Sequence, residues 1–430
     1  MRSLALLLLV SACHGDPPGW TVAGGFLRDP EGRAVILRGV NLSGRHKLPP
    51  YLDFHGPDDY RRLRDDWGMN AIRFLVTWSA IEPVDGVHDP AFLDEVAERI
   101  GWAEDAGLLV FLDMHQDLYG EGFAGGDGAP RWSCDPARYS AFTPRTPWFF
   151  GYLDGNVTAC FDALWTDAHL HDHYAALWGA LARRLASSPA VIGFDIINEP
   201  HWGSASIYEF EPARLMPFYA GVIAEVQSIA PAWIPFLEPS SAKNLGLGVA
   251  TRLPPFDFPA VYAPHAYDAE AESGNGFDAA RRQAYLANVA ALAEEARGLG
   301  AALVIGEYGG VAAQPGIVAY MDAAYDAAGA AAAGNFYWHY GRDEGYGLLH
   351  ADGSEKTELL DAVVRPYPER IAGDPVSWSF DDERLTLVYR RDPRITAPTV
   401  IAAPRRRWPN GATVTETVDG ELTTLTAVPK

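Results

Sequence analysis

The sequence has few cysteines and few basic residues for its length. Only 3 of its 430 residues are cysteine, and neither Cys134 nor Cys160 lies in a CxxC pair or in a His-rich cluster with metal-ligand spacing, which argues against a cysteine-built zinc site. Its 34 Lys and Arg are outnumbered by 56 Asp and Glu, for a net charge of −22, so nucleic acids would be repelled. There is no basic patch or glycine-rich nucleotide fingerprint. We therefore expect no nucleic-acid partner and no nucleotide cofactor.

Long apolar runs are also missing, apart from one at the N-terminus. Arg2 precedes an apolar stretch at residues 4–10, which is too short to span a bilayer but has the length of a signal-peptide core. The stretch runs into Ser11-Ala12-Cys13, which resembles a bacterial lipobox, in which the cysteine is lipidated. We predict that residues 1–13 are a signal peptide with lipobox and that Cys13 is lipidated. The chain would then be an exported cell-envelope lipoprotein; the alternative is an ordinary cleaved signal peptide and a freely secreted protein.

The two remaining cysteines form an even pair. If Cys13 carries lipid, Cys134 and Cys160 are left together in an oxidising compartment, where disulfides form and persist. We predict that they are bridged. The bridge would close a loop of about 25 residues and stabilise the fold by a few kcal/mol in the chain-entropy model.

From about residue 34 to 365 the sequence alternates β-rich runs with helical stretches that mostly end in Gly or Pro, and we assign residues 20–365 to one domain. This pattern is typical of parallel strands joined by crossover helices, and eight repeats favour a closed (β/α)8 TIM barrel over a doubly wound open sheet. Residues 366–430 instead show short alternating runs, which predict a small C-terminal antiparallel β-sandwich. The eight predicted barrel strands are 35–40, 71–75, 108–113, 191–197, 234–237, 260–264, 302–306 and 334–338.

A long segment follows the third predicted strand. Residues 118–167 are rich in Gly, Pro and aromatics and contain both remaining cysteines. Loops of this length in a compact domain are usually functional, and in a barrel this one would lie at the C-terminal face, where active sites are built.

Two of the predicted strands end in a glutamate, Glu199 on strand four and Glu307 on strand seven. Ionisable residues at the C-terminal ends of apolar barrel strands lie at the catalytic rim. A pair of carboxyl groups facing each other is what glycosidic bond cleavage requires, one protonated to assist the leaving group and one ionised to attack. We predict that the two carboxyl groups lie roughly 5 Å apart, the spacing of a retaining enzyme.

The motifs around these glutamates resemble those of glycoside hydrolase family 5. Asn198-Glu199-Pro200 is similar to the family's acid/base motif, and Gly306-Glu307 to its nucleophile motif. The resemblance covers residues 34–365 and implies that Glu199 is the acid/base and Glu307 the nucleophile. It also implies that Asn198 bonds the sugar 2-hydroxyl, and it assigns supporting roles around the nucleophile and under the sugar to Arg73, His265, Tyr267 and Trp338.

A narrower resemblance points to the endoglycoceramidase branch of that family. It rests on DMHQD at residues 113–117, NLSG at 41–44 followed by Lys47, and GDPVSWSF at 373–380 in the tail. The branch combines a barrel with a C-terminal β-sandwich and releases intact glycan from ceramide. The resemblance implies that Lys47, His115 and Asp117 bind sugar hydroxyls and that Trp148 stacks on a sugar ring.

These observations lead to one expected function and two alternatives. We expect a retaining endo-glycosidase that cuts glycosphingolipids between oligosaccharide and ceramide, working as a monomer at a membrane surface without metal or cofactor. The ceramide side of its cleft should be lined by exposed apolar side chains from the loops after strands six to eight. The alternatives are a β-glucosidase or endo-β-glucanase of the same fold acting on other β-glucosides, and a non-catalytic glycan-binding surface lipoprotein.

Overall fold

The computed structural model describes residues 19–244, 248–381 and 383–430. The predicted signal peptide and Cys13 lie outside the described residues. Within them, no helix has the length and apolar character needed to cross a membrane.

Eight parallel strands close into a barrel, as predicted. Consecutive strands in the chain are neighbours in the barrel, and the eighth pairs with the first, through Asn335 and Arg38. The fold class expected from the alternating pattern is confirmed. The barrel strands, numbered one to eight below, are Arg38–Leu42, Ala71–Val76, Leu109–Met114, Val191–Asp195, Ile234–Leu237, Val261–Tyr262, Ala302–Tyr308 and Gly334–Tyr337.

Helices follow the strands and cover the barrel from outside. The helix after strand two shows why the sequence folds this way: the Asp89 side chain accepts hydrogen bonds from the first free N–H groups, Pro90 occupies the first helical position, and Gly107 ends the helix at φ 72°. The principal helices after strands one to eight are Pro57–Arg61, Pro90–Ala106, Ala168–Leu185, Met216–Ile229, Ser241–Asn244, Ala279–Leu299, Ile317–Ala331 and Thr357–Val363.

The interior of the barrel is filled by an aromatic layer. The rings of Phe111 and Phe236 stack 4.2 Å apart, and Phe336 meets Phe111 edge-on at 4.9 Å. Strand four passes this layer at Gly193, where a Cβ atom would come within 2.3 Å of the Ile234 carbonyl oxygen and 2.5 Å of the Phe236 ring. Because alternate strand residues point inward, the next inward positions toward the C-terminal ends carry polar side chains, which form the floor of a site.

The C-terminal sandwich contains strands that the prediction did not include. One sheet contains the four tail strands Gly373–Asp381, Arg384–Arg391, Ala412–Asp419 and Leu422–Pro429. The other sheet is shared, because Thr21–Ala23, Phe26–Arg28 and Ala34–Val35 from the N-terminal side join Tyr367–Ile371 and Val400–Ala402. The sandwich therefore includes three N-terminal strands besides the predicted residues 366–430. The N-terminal strands are two or three residues long, too short to show a period in the sequence.

Cys134 and Cys160 form a disulfide, as predicted, with their Cα atoms 5.6 Å apart. The bridge ties the segment after strand three to the helix Gly155–Thr166. Three short helical segments otherwise order that long loop, at Arg131–Ser133, Pro136–Ala141 and Trp148–Leu153.

Candidate active site

Glu199 and Glu307 face each other at the C-terminal face of the barrel. A carboxylate oxygen of Glu199 lies within 4.8 Å of a carboxylate oxygen of Glu307, and both oxygens lie within the same distance of a ring nitrogen of His265. His265 Nδ1 is 2.8 Å from Glu199 Oε1 and 3.5 Å from Glu307 Oε2. The separation agrees with the predicted value of roughly 5 Å. An inverting enzyme needs a wider gap, because a water molecule must fit between its base and the sugar.

The backbone of Glu199 is held in an uncommon conformation. Its φ angle is 44°, in the left-handed region that non-glycine residues seldom adopt. Its N–H donates to Glu238 Oε2 at 3.0 Å, and its carbonyl accepts from Gln116 Nε2 at 3.1 Å. Asn244 Nδ2 donates to its Oε1 at 3.0 Å. Side chains that follow strands three and five thus hold a conformation that aims the Glu199 carboxyl group across the barrel mouth.

Glu307 is buried and accepts hydrogen bonds from two partners. An Arg73 Nη donates to Glu307 Oε1 at 2.5 Å, and the Tyr267 hydroxyl donates to Oε2 at 2.9 Å. Burial raises the pKa of Glu307 above its ordinary value, while the positive charges of His265 and Arg73 act in the opposite direction. Arg73 therefore favours the ionised form of Glu307, the direction that the family resemblance implies.

Arg73 is the centre of a fully buried charge network in the barrel floor. Its guanidinium lies 2.9 Å from Asp113, 2.9 Å from Asp195 and 3.1 Å from Glu238, in addition to Glu307. One cation cannot neutralise four carboxylates. Burial raises the pKa values of Asp113 and Asp195 well above their ordinary range, while the charge of Arg73 acts in the opposite direction on both.

His265 supplies a second positive charge. Burial lowers the pKa of His265, but the carboxylates of Glu238 and Glu307 outweigh burial and raise the pKa well above its ordinary value. Its Nε2 lies 3.1 Å from Glu238 Oε1, at ion-pair distance but outside hydrogen-bond geometry. Both ring nitrogens of His265 thus face carboxylates, Nδ1 towards Glu199 and Nε2 towards Glu238, so the ring positions the carboxyl groups of the site.

A second polar cluster lies beside the two glutamates. Lys47 contacts Asp117 and lies 4.0 Å from Asp127, and its ammonium lies 4.6 Å from the centre of the Trp338 ring. The His115 ring stacks on the same tryptophan at 5.4 Å. Trp338 is thus flanked by two polar side chains, as a platform under a sugar would be.

Some polar atoms of this cluster are left free. Burial lowers the pKa of His115 well below its ordinary value, so its ring is neutral, with Nδ1 2.7 Å from Asp113 Oδ2. Among the described residues, His115 Nε2 and Asp127 Oδ1 are buried without a hydrogen-bond partner. Unpaired buried polar atoms are costly, and sugar hydroxyls could satisfy both of them.

The structure also places the two other residues predicted to contact sugar. Asn198 lies against Arg73, whose Nη donates to Asn198 Oδ1 at 3.0 Å, and Asn198 Nδ2 donates to the Gln116 carbonyl at 3.1 Å. Trp148 is 49% exposed, with its ring 6.2 Å from those of Phe149 and Tyr152. Stacking of Trp148 on a sugar ring stays a prediction.

Sequence reasoning missed several residues that build the site. The most important is Glu238, which follows strand five directly and contacts Arg73, His265 and the Glu199 N–H. The rule that singled out Glu199 and Glu307, a carboxylate at the end of an apolar strand, applies equally to Glu238. Gln116, Asn244 and Asp127 were also missed, because Gln116 and Asp127 lie in the irregular segment after strand three and Asn244 ends a helix of only four residues.

The barrel, the tail and the glutamate pair match one known family along most of the chain. Residues 29–344 match the model described as cellulase (glycosyl hydrolase family 5), and residues 365–427 match the family 5 C-terminal domain. The chain belongs to glycosyl hydrolase family 5.

Within the family, the similar proteins include endoglycoceramidases, which confirms the narrower resemblance. Endoglycoceramidase I of Rhodococcus hoagii is 29% identical, in an alignment covering 92% of this chain and 82% of that protein. The structure of endo-glycoceramidase II from a Rhodococcus species is 30% identical, with a TM-score of 0.84, covering 94% of this chain and 99% of that one. Its lactosyl-enzyme intermediate superposes with a TM-score of 0.83 at 30% identity.

Proposed function

We propose that this chain is a retaining endoglycoceramidase, which hydrolyses the β-glycosidic bond between the oligosaccharide and the ceramide of glycosphingolipids. The observation that carries the retaining chemistry is the separation of the Glu199 and Glu307 oxygens, within 4.8 Å. Support for the substrate comes from the endo-glycoceramidase II relative, which was solved as a complex with ganglioside GM3.

The reaction uses the two glutamates in turn. Ionised Glu307 attacks the anomeric carbon while Glu199 gives its proton to the departing ceramide oxygen, leaving a glycosyl ester on Glu307. Glu199 is then ionised and takes a proton from a water molecule, whose oxygen attacks the anomeric carbon and releases Glu307 as a carboxylate. Two inversions at one carbon retain its β configuration.

The surroundings of the pair support these roles. Arg73 and Tyr267 both donate to Glu307, and hydrogen bonds to the charged form favour ionisation. Glu199 is the more exposed of the two side chains, at 19% against 6%, so the leaving group and the incoming water can reach it. Lys47, His115 and Asp117 would bind glycan hydroxyls around Trp338.

An exposed aromatic segment supports a lipid-bearing substrate. The short helix Trp148–Leu153 exposes Trp148, Phe149, Phe150 and Leu153, with 37% to 66% of each residue accessible to solvent. Tyr152 anchors the segment beside the site, since its ring stacks on His201 at 5.4 Å and its hydroxyl lies 3.5 Å from Gln116 Oε1. Four neighbouring apolar side chains are unfavourable in water unless they meet an apolar partner such as ceramide or the lipid surface that holds it.

The position of this apolar patch differs from the sequence-based expectation. We expected apolar side chains on the loops after strands six to eight, but among the described residues that region exposes only Val318 as a large apolar side chain. The patch belongs to the long loop after strand three. The sequence shows that this loop is aromatic, but not which of its rings are buried.

A double substitution in this segment tests the lipid-facing role. We expect Phe149→Ser with Phe150→Ser to lower the hydrolysis rate of vesicle-borne glycosphingolipid roughly ten-fold or more, because apolar area that enters the lipid is lost. The rate on a water-soluble aryl lactoside should stay within about two-fold, since neither ring touches the glutamate pair. Val318→Ser, which removes an exposed apolar side chain elsewhere, is the control. Equal losses on both substrates would contradict a role in lipid contact.

A conservative change at Tyr267 tests the support of the nucleophile. Tyr267→Phe removes a hydrogen bond to ionised Glu307, so the pKa of Glu307 should rise further. Protonated Glu307 cannot attack, so the acid limb of the kcat/KM profile should move to higher pH, with a loss of roughly 10- to 100-fold on the plateau. An acid limb that stays in place or moves to lower pH would contradict this account.

The alternative within the same fold is cleavage of another β-glucoside. A 31% identical stretch of the yeast ergosteryl-beta-glucosidase covers only 26% of this chain. Glycosphingolipids and steryl glucosides should therefore be assayed side by side in the same vesicles. Faster hydrolysis of steryl glucoside would replace the ceramide assignment and leave the two glutamates in their roles.

We also propose that the protein is exported and anchored by lipid on Cys13, acting as a monomer near the membrane that holds its substrate. Support comes from the apolar run at residues 4–10 and from the Cys134–Cys160 disulfide, which suits an oxidising compartment. Labelling with palmitate in a bacterial host should be lost in Cys13→Ser. Equal labelling of both proteins would contradict the anchor.

A further inference from the structure

A group of metal-ligating side chains lies outside the active site, on the barrel rim. His169 and His173 are one turn apart at the start of helix Ala168–Leu185, so they share a face of the helix. Asp85, on the loop after strand two, faces both of them. Its Oδ1 lies 3.4 Å from His173 Nε2, and its Oδ2 lies 3.7 Å from His169 Nε2.

We infer that His169, His173 and Asp85 form a binding site for a divalent transition-metal ion of the zinc type. One ligand atom from each of the three residues lies within 4.8 Å of the others. Zinc takes imidazole nitrogen and carboxylate oxygen at about 2.0–2.2 Å, so small side-chain rotations would bring all three onto one ion. Two imidazoles and a carboxylate are a ligand set that zinc accepts, with water completing the tetrahedron.

A buried glutamate prepares one of the histidines for a metal. Glu82 Oε1 lies 2.6 Å from His173 Nδ1 and also accepts from the Gly86 N–H at 2.9 Å, while Oε2 accepts from Trp78 Nε1 at 2.8 Å. The carboxylate holds the proton of His173 on Nδ1, which leaves the Nε2 lone pair free on the side that faces Asp85. A carboxylate behind a histidine is the usual outer partner at a zinc site, and it orients the ring and makes it a stronger ligand.

The site is accessible and lies at the base of the long loop. The side chains of His169 and Asp85 are 56% and 54% exposed, so an ion can enter. Trp132 packs its ring 5.1 Å from that of His173 and donates its indole N–H to the Glu82 carbonyl at 3.0 Å. A bound ion would therefore join the strand-two loop to the helix next to Trp132, two residues before Cys134, and stabilise the folded state by binding to it alone.

The experiment is a zinc titration of the whole protein, without a polyhistidine tag and after removal of metal by chelator. Isothermal titration calorimetry should give one zinc ion per chain at micromolar affinity, and zinc should raise the melting temperature. His169→Ala and His173→Ala should each weaken binding about ten-fold or more and abolish the melting shift. The control is His350→Ala, which removes an exposed histidine paired with a single carboxylate, Glu344, and should bind zinc like the unchanged protein.

The outcomes separate a built site from incidental surface histidines. Absence of binding to the unchanged protein at 100 μM zinc, or equal affinity of all three variants, would overturn the proposal. Because His169 is exposed, its substitution leaves the fold intact, and a circular dichroism spectrum checks this. The result does not depend on the proposed glycosidase activity, which uses none of these residues.

Discussion

Glu307→Ala should remove essentially all turnover of glycosphingolipid, a loss of roughly 10,000-fold or more, because no other group can form the glycosyl ester. Added azide should restore cleavage of an activated aryl β-glycoside and yield the inverted α-glycosyl azide, since the small anion attacks directly from the side that Glu307 vacates. The measurement is the initial rate with and without azide, with NMR of the anomeric proton of the product.

Glu307→Gln is the matched control, because it keeps the shape of the side chain while removing its charge. Both variants should lose activity and keep the circular dichroism spectrum of the unchanged protein. An Ala variant that still turns over glycosphingolipid, or an azide product of retained configuration, would end the assignment of Glu307 as nucleophile.

Glu199→Ala should affect substrates according to their leaving groups. Ceramide is a poor leaving group that needs a proton, so its release should fall by roughly 1,000-fold, within the usual range for general acid catalysis. An aryl β-glycoside with an acidic phenol leaves without help, so formation of its glycosyl ester should fall far less. Azide should then accelerate the second step and give the retained β-glycosyl azide, opposite in configuration to the Glu307→Ala product.

Glu307→Ala and Glu199→Ala together test which glutamate is the nucleophile and which the acid, since we expect each variant to give a glycosyl azide of different configuration from the same substrate. Asn244→Ala offers a milder control, because Asn244 donates to Glu199 Oε1 but takes no part in proton transfer. Equal losses on ceramide and phenol leaving groups in Glu199→Ala would contradict its role as the acid.

The barrel could be predicted because its signals are local and repeated. Helices 90–106 and 279–299 end at Gly107 and Gly300, the kind of closing residue that the sequence pattern shows, and they begin at the capping side chains of Asp89 and Asp278. The shared sheet of the sandwich could not be predicted, because it pairs Ala34–Val35 with Tyr367–Ile371, more than 300 residues away. No period in either segment indicates its partner.

The two catalytic glutamates could be predicted from the sequence, but several of the residues that hold them in place could not. Glu199 and Glu307 stand at strand ends, where sequence position gives spatial position. Glu238 has the same kind of position and was overlooked because no motif drew attention to it. The excess of buried carboxylates around Arg73, and the raised pKa values of Asp113 and Asp195, depend on distances that only the folded barrel fixes.

The exposed segment Trp148–Leu153 shows a different limit. Its aromatic content is visible in the sequence, but a run of aromatics predicts burial as readily as exposure. The fold separates the two outcomes, because Tyr152 turns inward to His201 while Phe149 and Phe150 turn outward.

The position of the cleaved bond is the most direct test of the proposed function. A glycosphingolipid with a glycan of several sugars should be incubated with the enzyme in water enriched in oxygen-18, and both products analysed by mass spectrometry. The account predicts one intact oligosaccharide carrying a single oxygen-18 atom and a ceramide carrying none, because water attacks the anomeric carbon of the sugar next to ceramide. Release of single sugars from the far end of the glycan, or oxygen-18 in the ceramide, would contradict it.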